Sequence, residues 1–163
     1  ENLMVRQASL EEIQSDWEIW ESALAEAMTT TPGGLVMGGN TFKVFAKNVY
    51  DRLTNPFNRS MQMWLAFKDD EPCYMVLTQI QVCEFSEQKT LLWFSITRIR
   101  DVDTSTSLDL YFQGQKVVKK FAKDNGCVAI VGYSDLDYFT RLAETKDEWA
   151  GTVKRNFYYL PLN

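Results

Sequence analysis

Apolar positions in this chain follow two periods, and the switches between them mark the elements. Leu10, Ile13, Trp17, Trp20, Leu24 and Met28 recur at steps of three and four, the stripe of an amphipathic helix. Ser9 and Glu12 stand at its start with the spacing of a capping box. Phe42, Phe45, Val49 and Leu53 repeat the pattern in a second helix, which Asn40 or Thr41 can cap and Asn55-Pro56 stops. Residues 29–39 between them hold four glycines and predict a mobile lid or a hairpin. Those glycines are followed by no Gly-Lys-Ser/Thr and form no phosphate-binding fingerprint.

Elsewhere the apolar residues come in short runs. Leu3–Gln7 predicts a strand. Met61–Phe67 and Cys73–Val82, separated by the turn Lys68-Asp-Asp-Glu-Pro72, predict a hairpin. A polar turn, Glu84–Lys89, leads into the β-branched and aromatic run Thr90–Ile99. A polar segment, Arg100–Ser107, then precedes a helix over Leu108–Asn125 that Gly126 closes. The apolar run Cys127–Tyr133 follows. A strand–helix–strand unit of this length is a crossover, so its two strands are expected to lie parallel. Beyond it, Ser134 or Asp135 caps a short helix whose buried side is Leu136, Phe139 and Leu142. Glu144–Glu148 is a charged turn, and Trp149–Val153 with Asn156–Leu160 read as one or two closing strands. The predicted order is β-α-α-β-β-β-α-β-α-β, with one more strand if the last two segments are separate.

Composition narrows the function. With 163 residues, 45% of them hydrophobic and 13% aromatic, the chain is expected to fold as one domain over residues 1–163. A net charge of −5 gives it little attraction for phosphate backbones, which argues against a nucleic-acid partner. No apolar run approaches the ~18 residues of a membrane span. Cys73, Cys83 and Cys127 have no metal-ligand spacing and read as buried free thiols in a reducing, cytoplasmic compartment, with no metal. Histidine is absent. That removes Ser-His-Asp and Cys-His catalysis, so any proton transfer falls to carboxylates, Lys, Tyr, Cys or water.

Three segments carry a family resemblance: Met4–Ile13, a first strand with its capped helix; Phe121–Gly126 before an apolar strand; and the ending Phe157–Leu162. With the element order, they make the chain similar to the GCN5-related N-acetyltransferase (GNAT) superfamily. The resemblance implies an α/β (α+β) fold with a mixed central sheet of six to seven strands, and acetyl-CoA as acyl donor. The family's pyrophosphate-binding loop, [QR]-x-x-G-x-[GA], follows its fourth strand and uses backbone N–H groups and a helix N-terminus to cradle the phosphates. Counted back from Gly126 over a helix of family length, that loop falls on Thr106–Tyr111, and the glycine positions are Ser107, Asp109 and Tyr111. No shift of register creates the motif, because the glycines are not there. Asp109 would fit the first turn of a helix, where it favours the macrodipole.

If coenzyme A binds, the resemblance implies that the strand end Ile96, Thr97 and Ile99 meets the pantetheine arm, with Thr106 and Ser107 in place of the glycines. The family's general acid is a Tyr that maps to Thr140–Leu142, close to Tyr138. The candidate base is Glu84, before the strand. Val131–Phe139 and the Tyr-rich ending are also similar to small phage-encoded GNAT-like proteins, some of them virion components without a recognisable coenzyme A loop. Two functions are therefore expected. One is a non-catalytic, protein-binding or structural member of phage-virion type with no cofactor; Trp149, beside a charged turn, is the tryptophan expected to be exposed. The other is a divergent acetyl-CoA-dependent N-acetyltransferase acting on an amine or protein substrate. The missing glycines favour the first.

Overall fold

The computed structural model describes residues 2–30, 42–57, 59–133 and 137–156, with residues 158, 160 and 162. They group into two compact units, Glu1–Tyr133 and Ser134–Asn163. The glycine-bearing segment expected to be a lid lies, from residue 31 on, outside the described residues, as do Asn40 and Thr41.

The first unit is built on a five-stranded sheet in sequence order: β1 (Leu3–Gln7), β2 (Met61–Lys68), β3 (Glu71–Val82), β4 (Lys89–Arg98) and β5 (Cys127–Gly132). The first four pair antiparallel, and β4 pairs with β5 in parallel, as the crossover requires. Among the described residues, helices α1 (Leu10–Ser15), α2 (Trp17–Thr30) and α3 (Phe42–Thr54) lie between β1 and β2, and α4 (Thr104–Asp124) joins β4 to β5.

Both faces of the sheet are covered, which explains why Met63–Phe67 of β2 is a continuous apolar run and not an alternating one. One side packs Met63, Leu65, Phe67, Met75 and Leu77 against Ile13, Trp20, Leu24, Phe45 and Val49. The other packs Trp64 and Leu91 against Val118 and Ala122 of α4, with Ala66 and Cys73 against Leu110. On the α4 side a buried polar chain is satisfied internally. The Trp64 indole donates to Thr78 Oγ1 at 2.9 Å, and Thr78 donates to Gln62 at 2.8 Å.

Several expectations are corrected. The first apolar stripe is two helices that meet at Asp16, not one. The capping box at Ser9 and Glu12 is present. At the junction the Glu12 carbonyl accepts both the Asp16 N–H and the Trp20 indole N–H, which ties the start of α2 to α1. The helix expected from Leu108 starts four residues earlier, at Thr104. Its first turn is Thr-Ser-Thr-Ser, hydroxyl residues that read as loop because they compete for backbone hydrogen bonds. Among the described residues the sheet has five strands, and the six to seven expected are not confirmed.

The second unit contains α5 (Asp137–Thr145) and a 3-10 turn at Asp147–Trp149, which overlaps the charged turn expected at Glu144–Glu148. No described residue after Gly132 lies in a strand. Trp149 is half-buried, 5.8 Å from the Phe139 ring. Cys73 is buried and Cys127 half-buried, but Cys83 is exposed in the turn before β4, contrary to the expectation of three buried thiols.

Candidate functional site

The site is made by a break in β4. Leu77 of β3 pairs with Ser95, but the next residue, Thr78, pairs with Trp93, so Phe94 is an extra, unmatched residue. A bulge of this kind bends a strand and increases its twist. Pairing with β5 stops at the same place, its last partners being Trp93 and Gly132. From Phe94 to Arg98, β4 therefore has a strand partner on the β3 side alone among the described residues, and among them its other edge is open.

A cleft of about 280 Å³ lies at this edge, lined by Glu26 and Ala27 of α2, Tyr74 of β3, and Ile96, Thr97 and Arg98 of β4. Because Thr97 pairs with Met75 and Ile96 with Val76, the two point to opposite faces of the sheet, and the cleft wraps the strand edge. Ser95 and Thr97 are buried, yet their hydroxyls have no hydrogen-bond partner among the described residues. Buried hydroxyls without partners are uncommon in folded proteins. Here they stand along the strand that opens.

The junction between β4 and α4 has the opposite character. Its five residues, Ile99–Asp103, contain no glycine. The N–H groups of Ile99 and Arg100 both donate to the Cys73 carbonyl, at 2.7 and 3.3 Å. Asp103 is the N-cap of α4, and its carboxylate accepts the Thr106 N–H at 2.7 Å. That bond holds the Asp103 carboxyl below its ordinary range. The Ser107 N–H donates to the Asp103 carbonyl at 3.0 Å. Nearby cations are also engaged. Arg100 pairs with Glu71 at 2.6 Å and donates to the Lys68 carbonyl, while Arg98 lies 3.2 Å from Asp101.

Of the residues singled out from sequence, the structure brings Ile96 and Thr97 into the cleft. Ile99 lies just past it and packs on the first core. Thr106 and Ser107 are in the first turn of α4 and not in a loop. Thr106 is buried, and Ser107 Oγ shares a hydrogen bond of 2.6 Å with the Tyr74 hydroxyl. Asp109 sits in the second turn, so the acidic group at the helix start is Asp103. Glu84 is exposed in the turn before β4, at the opposite end of that strand from the cleft. Tyr138 belongs to α5, and its side chain lies outside the described residues.

Sequence reasoning missed Glu26, Tyr74 and Arg98. Glu26 stands off the apolar stripe and reads as part of a solvated face; only the packing of α2 against β4 carries it to the cleft. Among the described residues no group of three or more Cys, Asp or Glu side chains could hold a metal ion. No described helix is long and apolar enough to cross a membrane.

Solved structures share this architecture across the whole chain. A possible acetyltransferase from Clostridium difficile 630 superimposes with a TM-score of 0.62 at 13% identity, over 100% of this chain and 99% of that one. The chain has the GNAT fold. A GNAT family acetyltransferase from Staphylococcus aureus gives a TM-score of 0.60 at 9% identity, covering 100% of both chains. A ribosomal-protein-alanine N-acetyltransferase from Brucella melitensis biovar Abortus 2308 gives 0.60 at 12%, over 99% of this chain and 100% of that one. No family model and no curated protein matches the sequence. At these identities the likeness shows the GNAT fold alone.

Proposed function

We propose that this protein is a divergent N-acetyltransferase, moving an acetyl group from an acetyl thioester to an amine in the cleft at the β4 edge. The observation that carries this is the parting of β4 from β5 at the Phe94 bulge, which leaves an open strand edge beside a cleft that holds a carboxylate and a phenol. An extended amide-bearing arm can lie along such an edge as an added strand would. Thr97, whose hydroxyl has no partner among the described residues, stands on the cleft wall and offers a further polar group. These features fit the pantetheine arm and thioester of acetyl-CoA. The glycine-free start of α4 does not fit its pyrophosphate.

In the transfer, the amine nitrogen bonds to the thioester carbonyl carbon and the carbon–sulfur bond breaks. The amine gives up a proton and the departing thiolate gains one. Without histidine, Glu26 is the carboxylate placed to take the first proton, directly or through water. The Tyr74 hydroxyl is the donor on the opposite wall. Most of the acceleration would come from holding amine and thioester together. The Brucella neighbour, by its name, acts on an alanine amine, which supports an amine acceptor for this chain.

Asp103 favours a second reading, in which the protein keeps the fold and binds another protein, including as a structural part of a phage particle. Thiol release from acetyl-CoA, measured across primary amines and peptides with free α-amino groups, separates the two. The enzyme reading expects amine-dependent release, lowered ~100-fold or more in Glu26→Gln, as for loss of a general base. No release with any amine contradicts it and leaves the binding role.

A further inference from the structure

We infer that the donor site reads the acylated pantetheine arm and not the nucleotide end of coenzyme A, so that a thioester lacking the diphosphate is as good a ligand as acetyl-CoA. The inference rests on the acetyl-transfer reading of the cleft and specifies its donor.

Binding a diphosphate at the strand–helix junction needs free N–H groups, close approach of the backbone and positive charge. The junction meets these requirements poorly. The N–H groups of Ile99 and Arg100 are spent on the Cys73 carbonyl, that of Thr106 on the Asp103 carboxylate, and that of Ser107 on the Asp103 carbonyl. Every residue from Ile99 to Asp103 carries a side chain, so the backbone cannot be approached as a glycine loop can. The positive end of the α4 dipole already faces an anion of its own chain, Asp103. Arg100 is held by Glu71, and Arg98 stands beside Asp101. A diphosphate placed here would displace a cap and lie among carboxylates.

The β4 edge a few residues away shows none of this. From Phe94 to Arg98 that edge has no strand partner among the described residues, and Thr97, whose hydroxyl has no hydrogen-bond partner there, lines the cleft. The amide-recognising half of a thioester site is thus present, while at the anion-recognising half the protein's own Asp103 carboxylate caps the helix. The ligand class that suits this division is an acyl-pantetheine thioester. Recognition ends before the nucleotide, whether the arm is free or carried on a larger molecule.

Calorimetric titration of the full chain with acetyl-CoA and with S-acetyl-pantetheine tests this. We expect dissociation constants within about threefold of each other, a difference of under 1 kcal/mol, and acetyl-CoA affinity nearly independent of salt. Asp103→Ser keeps a capping side chain and removes the charge. It should strengthen acetyl-CoA binding about three- to tenfold and leave S-acetyl-pantetheine unchanged. Acetyl-CoA binding tenfold or more tighter than S-acetyl-pantetheine to the unaltered protein overturns the inference while the acetyl-transfer reading stands. So does a loss of acetyl-CoA affinity in Asp103→Ser with the fold intact by circular dichroism. If neither thioester binds at millimolar concentration, the acetyl-transfer reading fails and the inference with it.

Discussion

The hydroxyls of Tyr74 and Ser107 share a hydrogen bond of 2.6 Å across 33 positions of sequence, joining β3 to the first turn of α4. Tyr74 lines the cleft, so this bond couples the cleft wall to the helix start. Tyr74→Phe keeps the ring and removes the bond, and should cost about 1 kcal/mol of stability. Ser107→Ala should cost a similar amount. Denaturant unfolding of both single variants and the double variant should give a coupling of roughly 0.5–1.5 kcal/mol. Strict additivity would mean that the bond does not form in solution.

A second prediction concerns acid stability. Glu12 accepts two hydrogen bonds from Arg6, at 2.6 and 2.8 Å, and one from the Ser9 N–H. Arg6 in turn lies 4.7 Å from the centre of the Phe67 ring. The Arg6 guanidinium, with smaller contributions from Ser9, lowers the Glu12 carboxyl from 4.5 to about 2. A depressed carboxyl stabilises the fold fully above its unfolded value, and that contribution is lost as pH falls from about 4.5 towards 2. Because the pair is partly solvated, the contribution is about 1–2 kcal/mol. Unfolding curves between pH 5 and pH 2 should fall less steeply for Glu12→Gln than for the unaltered protein. Asp69 and Asp103 are lowered too and titrate in both proteins, so the difference between the curves isolates Glu12. Parallel curves would contradict the assignment.

Gly114 lies within α4, facing β1. A Cβ placed there would meet Val5 Cγ1 at 3.7 Å, an ordinary contact, and no positive φ is required. Gly114→Ala should therefore raise stability by about 0.5–1 kcal/mol by removing the helix penalty of glycine. A fall in melting temperature would show that the α4–β1 packing is tighter than the structure indicates.

The fold was legible where one period dominates. The stripe from Leu10 to Leu24, the runs at Met61, Cys73 and Thr90, and the crossover to Cys127 place most elements within a residue or two. The helix start was not legible. Thr104–Ser107 has the composition of a loop, and only the side chain of Asp103 and the contact of Ser107 with Tyr74 make it the first turn of α4. Counting back from Gly126 over a helix of family length placed the candidate phosphate loop at Thr106–Tyr111, whereas the helix is longer and the strand–helix junction is Ile99–Asp103. The conclusion survived because neither segment contains a glycine. The strand end at Ile96 and Thr97 was legible because it follows from the order of elements. Glu26 was not, because its role depends on which residue of α2 faces the bulged part of β4. The Phe94 bulge has no signature in the apolar run Leu91–Phe94.

The claim at the centre of this account is that an acyl thioester lies along β4 beyond Phe94. Hydrogen exchange of the protein with and without saturating S-acetyl-pantetheine tests it most directly, because it locates the ligand independently of turnover. The account predicts slowed exchange in the segment 94–98 and in the end of α2 around Glu26 and Ala27, with the junction 99–103 and the start of α4 unchanged. Protection centred on Asp103–Ser107, or none along β4 with the ligand bound, would contradict it.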